Sequence, residues 1–331
     1  MPPTSLLLGY SIMSDIDVSS AARPKNSWAL FTSLAQGKWR PGHSWENPAY
    51  RCKFILRSLA MPFSTAKLMK NLVRQPHLLS MLRAQPGLPC RLHRPYLALN
   101  IARSKTLETI AYHYKNISEI LPAAMLQDYF TEQGYCLAEL KGKNDACFFI
   151  SCSAFDSQGK EGEVILKCLD EQQVILAKLI FTLCPENGKK TFLIGGLQGA
   201  QHGIPHERIQ KATKACHGLF PKRLVLEALC LLAKQWGVEQ ILAVGNGTHI
   251  FRSWRYEKKK KQRMYADYDN FWLSMNAAQR EDGLFMLQAD ITRKSLEEIA
   301  SKKRAEYRRR YVLLNALAHS IHMHFTASHC P

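Results

Sequence analysis

Apolar residues change their spacing along this chain, and each change marks a predicted element. From Trp28 to about Gln127 they fall at helical intervals in short pieces, broken by Pro41, Pro48, Pro62, Pro76, Pro86, Pro89, Pro95 and Pro122. Proline has no amide hydrogen and clashes with the preceding turn, so this stretch predicts several short helices, residues 54–59 and 78–82 among them. From about Gly134 the period drops to two. Residues 134–140, 146–154, 163–169 and 173–183 read as strands, with turn signals at 141–145, 156–162 and 170–172. Connections this short predict antiparallel pairing.

The stretch 191–249 organises the rest. A short apolar run at 192–194 ends at Gly195 and Gly196 and is followed by a glycine-punctuated loop. Pro205 suits the first turn of a helix, where Ile209, Ala212 and Cys216 recur at helical spacing until Gly218. Pro221 opens a second helix with Val225, Ala228, Leu229, Leu232 and Trp236 on one face, and Gly237 is placed to cap it. Residues 238–244 then form the continuous apolar run of a strand covered on both faces. Strand, crossover and strand predict a parallel pair with a right-handed connection.

Beyond it, 266–275 predicts a short helix with Phe271 and Trp272 inward, 283–287 a strand, and 258–261 an exposed run of lysines. A final helix is expected over 295–325, with Ala300, Tyr307, Tyr311, Leu314, Ala318, Ile321 and Phe325 in one stripe. The sum is an α+β fold: a mixed, mainly antiparallel sheet with flanking helices, preceded by a basic helical N-terminal region. The expected organisation is a flexible start at 1–25, the helical region at 26–130, the sheet domain at 131–325 and a tail at 326–331.

Composition narrows the partners. Lys plus Arg number 45 against 27 Asp plus Glu, a formal +18, and residues 1–110 alone carry 15 against 4. That balance favours an anionic partner: nucleic acid, a phosphorylated small molecule or an anionic lipid surface. A solvated basic face explains the same residues. Ten cysteines without a CxxC read as small core hydrophobes in a reducing compartment, which predicts a cytoplasmic protein, with a peripheral position at the inner membrane open to it. No basic residue precedes the apolar patch 6–8, so no signal peptide is expected, and no apolar run reaches transmembrane length.

The loop GGLQGAQHGI is the most suggestive chemical feature. Gln198, Gly199, Ala200 and Gly203 would let backbone amides approach a phosphate or pyrophosphate at a helix start. The motif is neither GxxxxGK[ST] nor GxGxxG, and a sharp strand-to-helix turn accounts for the glycines equally well. Asn246 and His249 follow a buried strand, at the edge where ligands of α/β sheets collect, although capping and structural roles serve them as well. Lys222, Arg252, Arg255, Lys303, Arg304 and Arg310 are candidate anion contacts. On the final helix Lys303, Arg304 and Arg310 flank the apolar stripe, where their heads can also simply lie in water. His202 and His206 are separated by Gly203 and Pro205, so no metal site is expected. Cys216 and His217 are adjacent on a helix and point about 100° apart, which argues against a thiol and base pair.

The motifs GGLQGA, TKACHGLFPKRLVLEAL, ILAVGNGTHIFRSWR, ADYDNFW and SKKRAEYRRRYVLL together resemble the VirK/YbjX family, over roughly residues 35–314. The chain departs at Phe220, where that family usually has Arg before Pro-Lys. The resemblance implies a cytoplasmic bacterial protein associated with virulence, envelope stress and resistance to cationic antimicrobial peptides, with no established reaction. The element order also resembles the GNAT acyltransferase fold, in which the loop after the fourth strand holds the pyrophosphate of coenzyme A. That likeness implies coenzyme A or acyl-coenzyme A at Gln198 to Gly203, with His249, Tyr265 or Asp267 handling the proton of an amine or a leaving thiolate. The usual [QR]xxGx[GA] pattern is only loosely met, and two helices replace one in the crossover. The alternative is a non-enzymatic anion-binding protein acting on nucleic acid or at the inner membrane surface. Fingerprints of helix-turn-helix, RRM and KH modules are absent, so sequence-specific DNA recognition is not expected.

Overall fold

The structure, a computed structural model, describes residues 23–155, 159–253 and 267–326. Arg255, Tyr265, the 258–261 lysine run and nearly all of the 1–25 and 326–331 segments lie outside the described residues.

The proline-broken region folds as short helices. In α1 (Ser27–Gln36) the Asn26 side chain accepts from the Ala29 amide, and Gly37 closes the last turn at φ 73°. Proline occupies the first turn of both α2 (Pro48–Leu59) and α3 (Pro62–Val73). Next come α4 (Leu78–Ala84), a short 3-10 turn (Leu88–His93), α5 (Arg103–Ile120) and α6 (Ala123–Tyr129).

One eight-stranded sheet follows, its first six strands in chain order and its last two exchanged. Strands β1 (Tyr135–Lys141), β2 (Cys147–Ser153), β3 (Val164–Asp170), β4 (Ile175–Glu186) and β5 (Lys189–Gly199) form an antiparallel meander. Helices α7 (His206–Ala215) and α8 (Pro221–Gln235) cross to β6 (Gln240–Val244), which pairs parallel with β5. The helix Tyr268–Ser274 leads to β7 (Ala278–Gln279) and β8 (Leu284–Leu287), which pair antiparallel, β8 also antiparallel to β6. The mixed, mainly antiparallel α+β sheet is therefore as expected.

Helices cover both faces. Neighbouring strand residues point to opposite sides: Phe181 packs near Trp236 at the end of α8, while the Thr182 hydroxyl meets Tyr96 of the N-terminal region. Val225, Ala228, Leu229, Leu232 and Trp236 are all buried, as their spacing requires. The C-terminal helix (Ser301–Thr326) lies along β1 and α8. No described helix is long and apolar enough to cross a membrane.

Two element boundaries differ from expectation. Strand β5 does not stop at Gly195 but runs to Gly199, so Gln198 and Gly199 are strand residues and the turn proper is 200–205. The pairing of Phe181 with Ile194 and of Ile180 with Gly196 leaves Gly195 as the extra residue of a bulge. The last helix begins at Ser301 rather than 295. Ser295 and Glu298 exchange hydrogen bonds in an isolated turn that does not propagate, and Ala300 is exposed before the helix begins.

Candidate functional site

Strands β5 and β6 pair only from Thr191 to Ile194 against Gln240 to Ala243. Beyond Ile194 the bulge turns β5 away, β6 ends at Val244, and the two strands part. The chain entering β3 lies over this point. A Cβ on Gly195 would stand 2.0 Å from the carbonyl oxygen of Glu161, and one on Gly196 2.8 Å from its carboxyl carbon. The two glycines are therefore a seat for Glu161.

Glu161 is only 6% exposed. Its Oε1 lies 3.0 Å from Nε2 of His249, and its Oε2 accepts from Nε2 of Gln198 at 2.7 Å. Nδ1 of His249 accepts from the Phe251 amide at 3.3 Å, which puts the ring hydrogen on Nε2, where it is donated to Glu161. The imidazole stacks on Tyr268 at 4.9 Å. The Tyr268 hydroxyl accepts from the Leu197 amide at 3.3 Å, and burial, reinforced by the nearby Glu161 charge, holds that phenol protonated far above its usual range. Gln198, Glu161, His249 and Tyr268 thus form a buried polar cluster at the parting of the strands. The Glu161 carboxyl stands at its centre, with one oxygen toward His249 and the other toward Gln198.

The 200–205 turn leaves the cluster on one side. Gly203 has φ 102° and nothing within 4 Å of a built Cβ, while the Lys222 side chain reaches the position a Cβ on Gly199 would occupy, at 3.5 Å. Burial lowers the Lys222 ammonium below its ordinary value. No side chain caps the start of α7.

Asn246, Asp267 and Arg252 come together as a loop clamp. The Asn246 side chain donates to Asp267 Oδ1 at 2.9 Å and accepts from the Tyr268 amide at 2.9 Å. Asp267 is the N-cap of the Tyr268–Ser274 helix; hydrogen bonds from the Asn246 side chain and the Asn270 amide pull its carboxyl below the usual range. Arg252 donates to the Asn246 carbonyl. An exposed carboxylate committed to a cap is poorly disposed to accept a proton from a substrate.

His217 and Arg310 meet in a second place. Arg310 Nε donates to the His217 carbonyl at 2.9 Å, and its guanidinium lies 4.1 Å over the Tyr307 ring. Arg310 borders a cleft of about 280 Å³, with Arg223, Arg293, Lys294 and Glu227 on its walls. Phe220 lines the same cleft. Lys303 and Arg304 do not take part: Lys303 is exposed, and Arg304 donates to the Ile299 carbonyl. Among the described residues no group of three or more His, Cys, Asp or Glu side chains is arranged to hold a metal ion.

Glu161, Glu163 and Tyr268 escaped the sequence reading. Glu161 and Glu163 fall in or beside an apparent polar turn, yet both are buried. Glu163 accepts from Arg91 Nε at 3.0 Å and from the Tyr114 hydroxyl at 2.6 Å, and Arg91 also donates to Gln85. Tyr268 looked like one aromatic among several in ADYDNFW. The pattern KEGE just ahead of an apolar strand was the only available signal, and it carries no mark of burial.

These features define a class: an α+β protein whose sheet opens between two parallel strands beside a buried carboxylate and histidine. The profile of a family described as a protein of unknown function, DUF535, matches residues 43–323, and the chain belongs to that family. It is 48% identical over 292 residues to the uncharacterized protein YbjX of Escherichia coli K12, covering 88% of each chain. An uncharacterized protein of Haemophilus influenzae is 27% identical over 215 residues, 65% of this chain and 69% of that one. The family match and the likeness to YbjX bear out the resemblance to the VirK/YbjX family.

Proposed function

We propose that the protein is an acyltransferase of GNAT-like layout that uses a coenzyme A thioester. The observation that carries this reading is the parting of β5 from β6 at the Gly195 bulge, with Glu161 held there by His249 and Gln198. The 200–205 turn suits the phosphate end of such a cofactor: it has open space at Gly203, an uncapped α7 start beyond it and Lys222 on its flank. When bound, the thioester would supply the acyl group to an amine or hydroxyl acceptor, its carbon–sulfur bond breaking as the new bond forms and coenzyme A leaving as a thiolate that takes up the released proton.

In this reading Glu161 takes the proton that the acceptor must lose, and His249 and Gln198 position it through its two oxygens. Tyr268, kept protonated, fixes the imidazole by stacking and holds the Leu197 amide. The protein works in the bacterial cytoplasm, in keeping with the nine described cysteines, all of them free. Virulence, envelope stress and antimicrobial-peptide resistance are the setting that the family resemblance suggests.

A second reading, anion binding without chemistry, draws on the cleft where Arg223, Arg293 and Arg310 converge. Thermal unfolding with acetyl and palmitoyl coenzyme A separates the two. A ligand at a hundredfold its Kd stabilises by about 2.7 kcal/mol, and Gly203→Val and Lys222→Ala should reduce that gain. If no thioester stabilises the protein, while pyrophosphate does so in an Arg310-dependent way, the acyltransferase reading is wrong.

A further inference from the structure

A different surface, at the far end of the N-terminal helices, carries a conclusion that stands apart from acyl transfer. Among the described residues Phe63 is the most exposed large apolar side chain, at 90%, and Trp28, Leu59 and Leu56 are exposed at 71%, 68% and 66%. Each belongs to α1, α2 or α3, or to the turn between them.

Contacts along the α1 and α2 pair bring them together. Gly37, after the end of α1, lies against the Arg51 guanidinium near the start of α2, and Phe31 packs on Phe54 at 5.1 Å. The helices are therefore antiparallel, and Trp28, stacked on Phe31 at 5.8 Å, sits toward the C-terminal end of α2. That end carries Leu56 and Leu59, and Phe63 follows across the two-residue turn into α3. The four apolar side chains share one tip.

The charge around this tip is one-sided. Residues 23–74 hold ten Lys and Arg against a single acid, Glu46, a formal +9. Glu46 precedes α2 and so lies at the opposite end of it. Lys25, Lys53 and Lys67 are exposed and lie three or four residues from Trp28, Leu56 and Phe63 respectively. Apolar and aromatic groups ringed by lysines match a bilayer surface, where rings settle at headgroup depth and ammonium groups meet lipid phosphates. A second copy of the same tip would bring like charges together. A nucleic acid offers phosphates but nothing to bury two leucines.

We propose that the α1–α3 tip is a docking surface for an anionic lipid bilayer, inserting Trp28, Leu56, Leu59 and Phe63 while Lys25, Lys53 and Lys67 contact the headgroups. The full chain is floated with vesicles of phosphatidylethanolamine and phosphatidylglycerol, and with vesicles of phosphatidylcholine alone. It should float with the first and not the second, and added salt should release it. Leu59→Ser combined with Phe63→Ser removes only exposed groups and should lower partitioning at least roughly tenfold with unchanged thermal unfolding. Lys53→Glu combined with Lys67→Glu should do the same. Absence of flotation, or flotation indifferent to both pairs, overturns the proposal. So does a dimer in sedimentation that the serine pair dissociates, or a nucleic-acid complex that the glutamate pair abolishes while vesicles fail to bind.

Discussion

The seat of Glu161 can be tested with one methyl group. In Gly195→Ala the new Cβ would lie 2.0, 2.8 and 3.2 Å from the carbonyl oxygen, carbonyl carbon and Cα of Glu161. All three are backbone atoms, so no rotamer change relieves the clash. Ordinary contact begins near 3.4 Å, and the Glu161 chain must therefore retreat by about 1.4 Å. That shift exceeds what the 2.7 Å bond to Gln198 and the 3.0 Å bond to His249 can absorb. Overpacking alone costs about 1–3 kcal/mol, and each weakened hydrogen bond to a charged group adds up to about 1.5–3 kcal/mol. A loss of about 3 kcal/mol or more is expected. Gly199→Ala is the internal control: it meets only the flexible end of Lys222 at 3.5 Å, and alanine in a strand gains roughly 0.5 kcal/mol over glycine. Urea denaturation followed by circular dichroism, with the slope unchanged, measures both. If Gly195→Ala leaves the midpoint where it was, or the two variants behave alike, the glycines are not there for Glu161 and the packing argument fails.

Other consequences follow from the buried polar groups. Arg91→Met or Glu163→Leu alone strands its partner inside the protein and should cost about 3–5 kcal/mol, whereas the double variant should lose far less than the sum; additive losses in a double-mutant cycle would refute the pairing. Burial pushes the His113 imidazole down to about 3, below its ordinary 6.5. The unfolded chain then binds the extra proton between those values, so stability from His113 is full above pH 6.5 and falls by about 1.4 kcal/mol per pH unit on acidification. His113→Phe should flatten that part of the pH profile measured in urea, and an unchanged slope would count against it. Asp267→Ala should loosen the Tyr268–Ser274 helix and Asn246 together, seen as faster amide exchange there. Asp267→Asn, which still caps, should spare most of it. Equal exchange in the two variants would show that the cap is not what holds the loop. With its carboxyl depressed, the Asp267 contribution is complete above the unfolded carboxylate range and is lost as pH falls from there through the lower folded value.

Local order was legible wherever one residue type dictates one local geometry. Prolines at the first turns of α2, α3 and α8, apolar runs cut by short turn signals through β1 to β4, and the 3.6 spacing of Val225 to Trp236 each fix an element without reference to the rest of the chain. Reading failed where tertiary contact overrode the local signal. Gly195 and Gly196 look like the end of a strand because glycine usually ends strands; here they continue one, since the Glu161 backbone fills the space that side chains would need. The run 295–300 carries a capping pair and helical spacing, but Ser295 and Glu298 satisfy each other in a turn before the helix starts.

The site was less legible for a related reason. His249 stood out because it follows a buried strand and Gln198 because it lies in the glycine-punctuated loop, and the fold does bring both to one carboxylate. Glu161 itself stood between glycines and a lysine, where any reading by polarity assigns it to solvent. Its burial depends on three separate segments: the bulge of β5 beneath it, the imidazole of His249 at one oxygen, and the Ala98 bridge that holds His249 in place. Each is distant in sequence from the others. A buried charge needs partners gathered from several elements to offset its lost hydration, so the residue best equipped for proton chemistry is also the one whose surroundings the sequence spreads most widely.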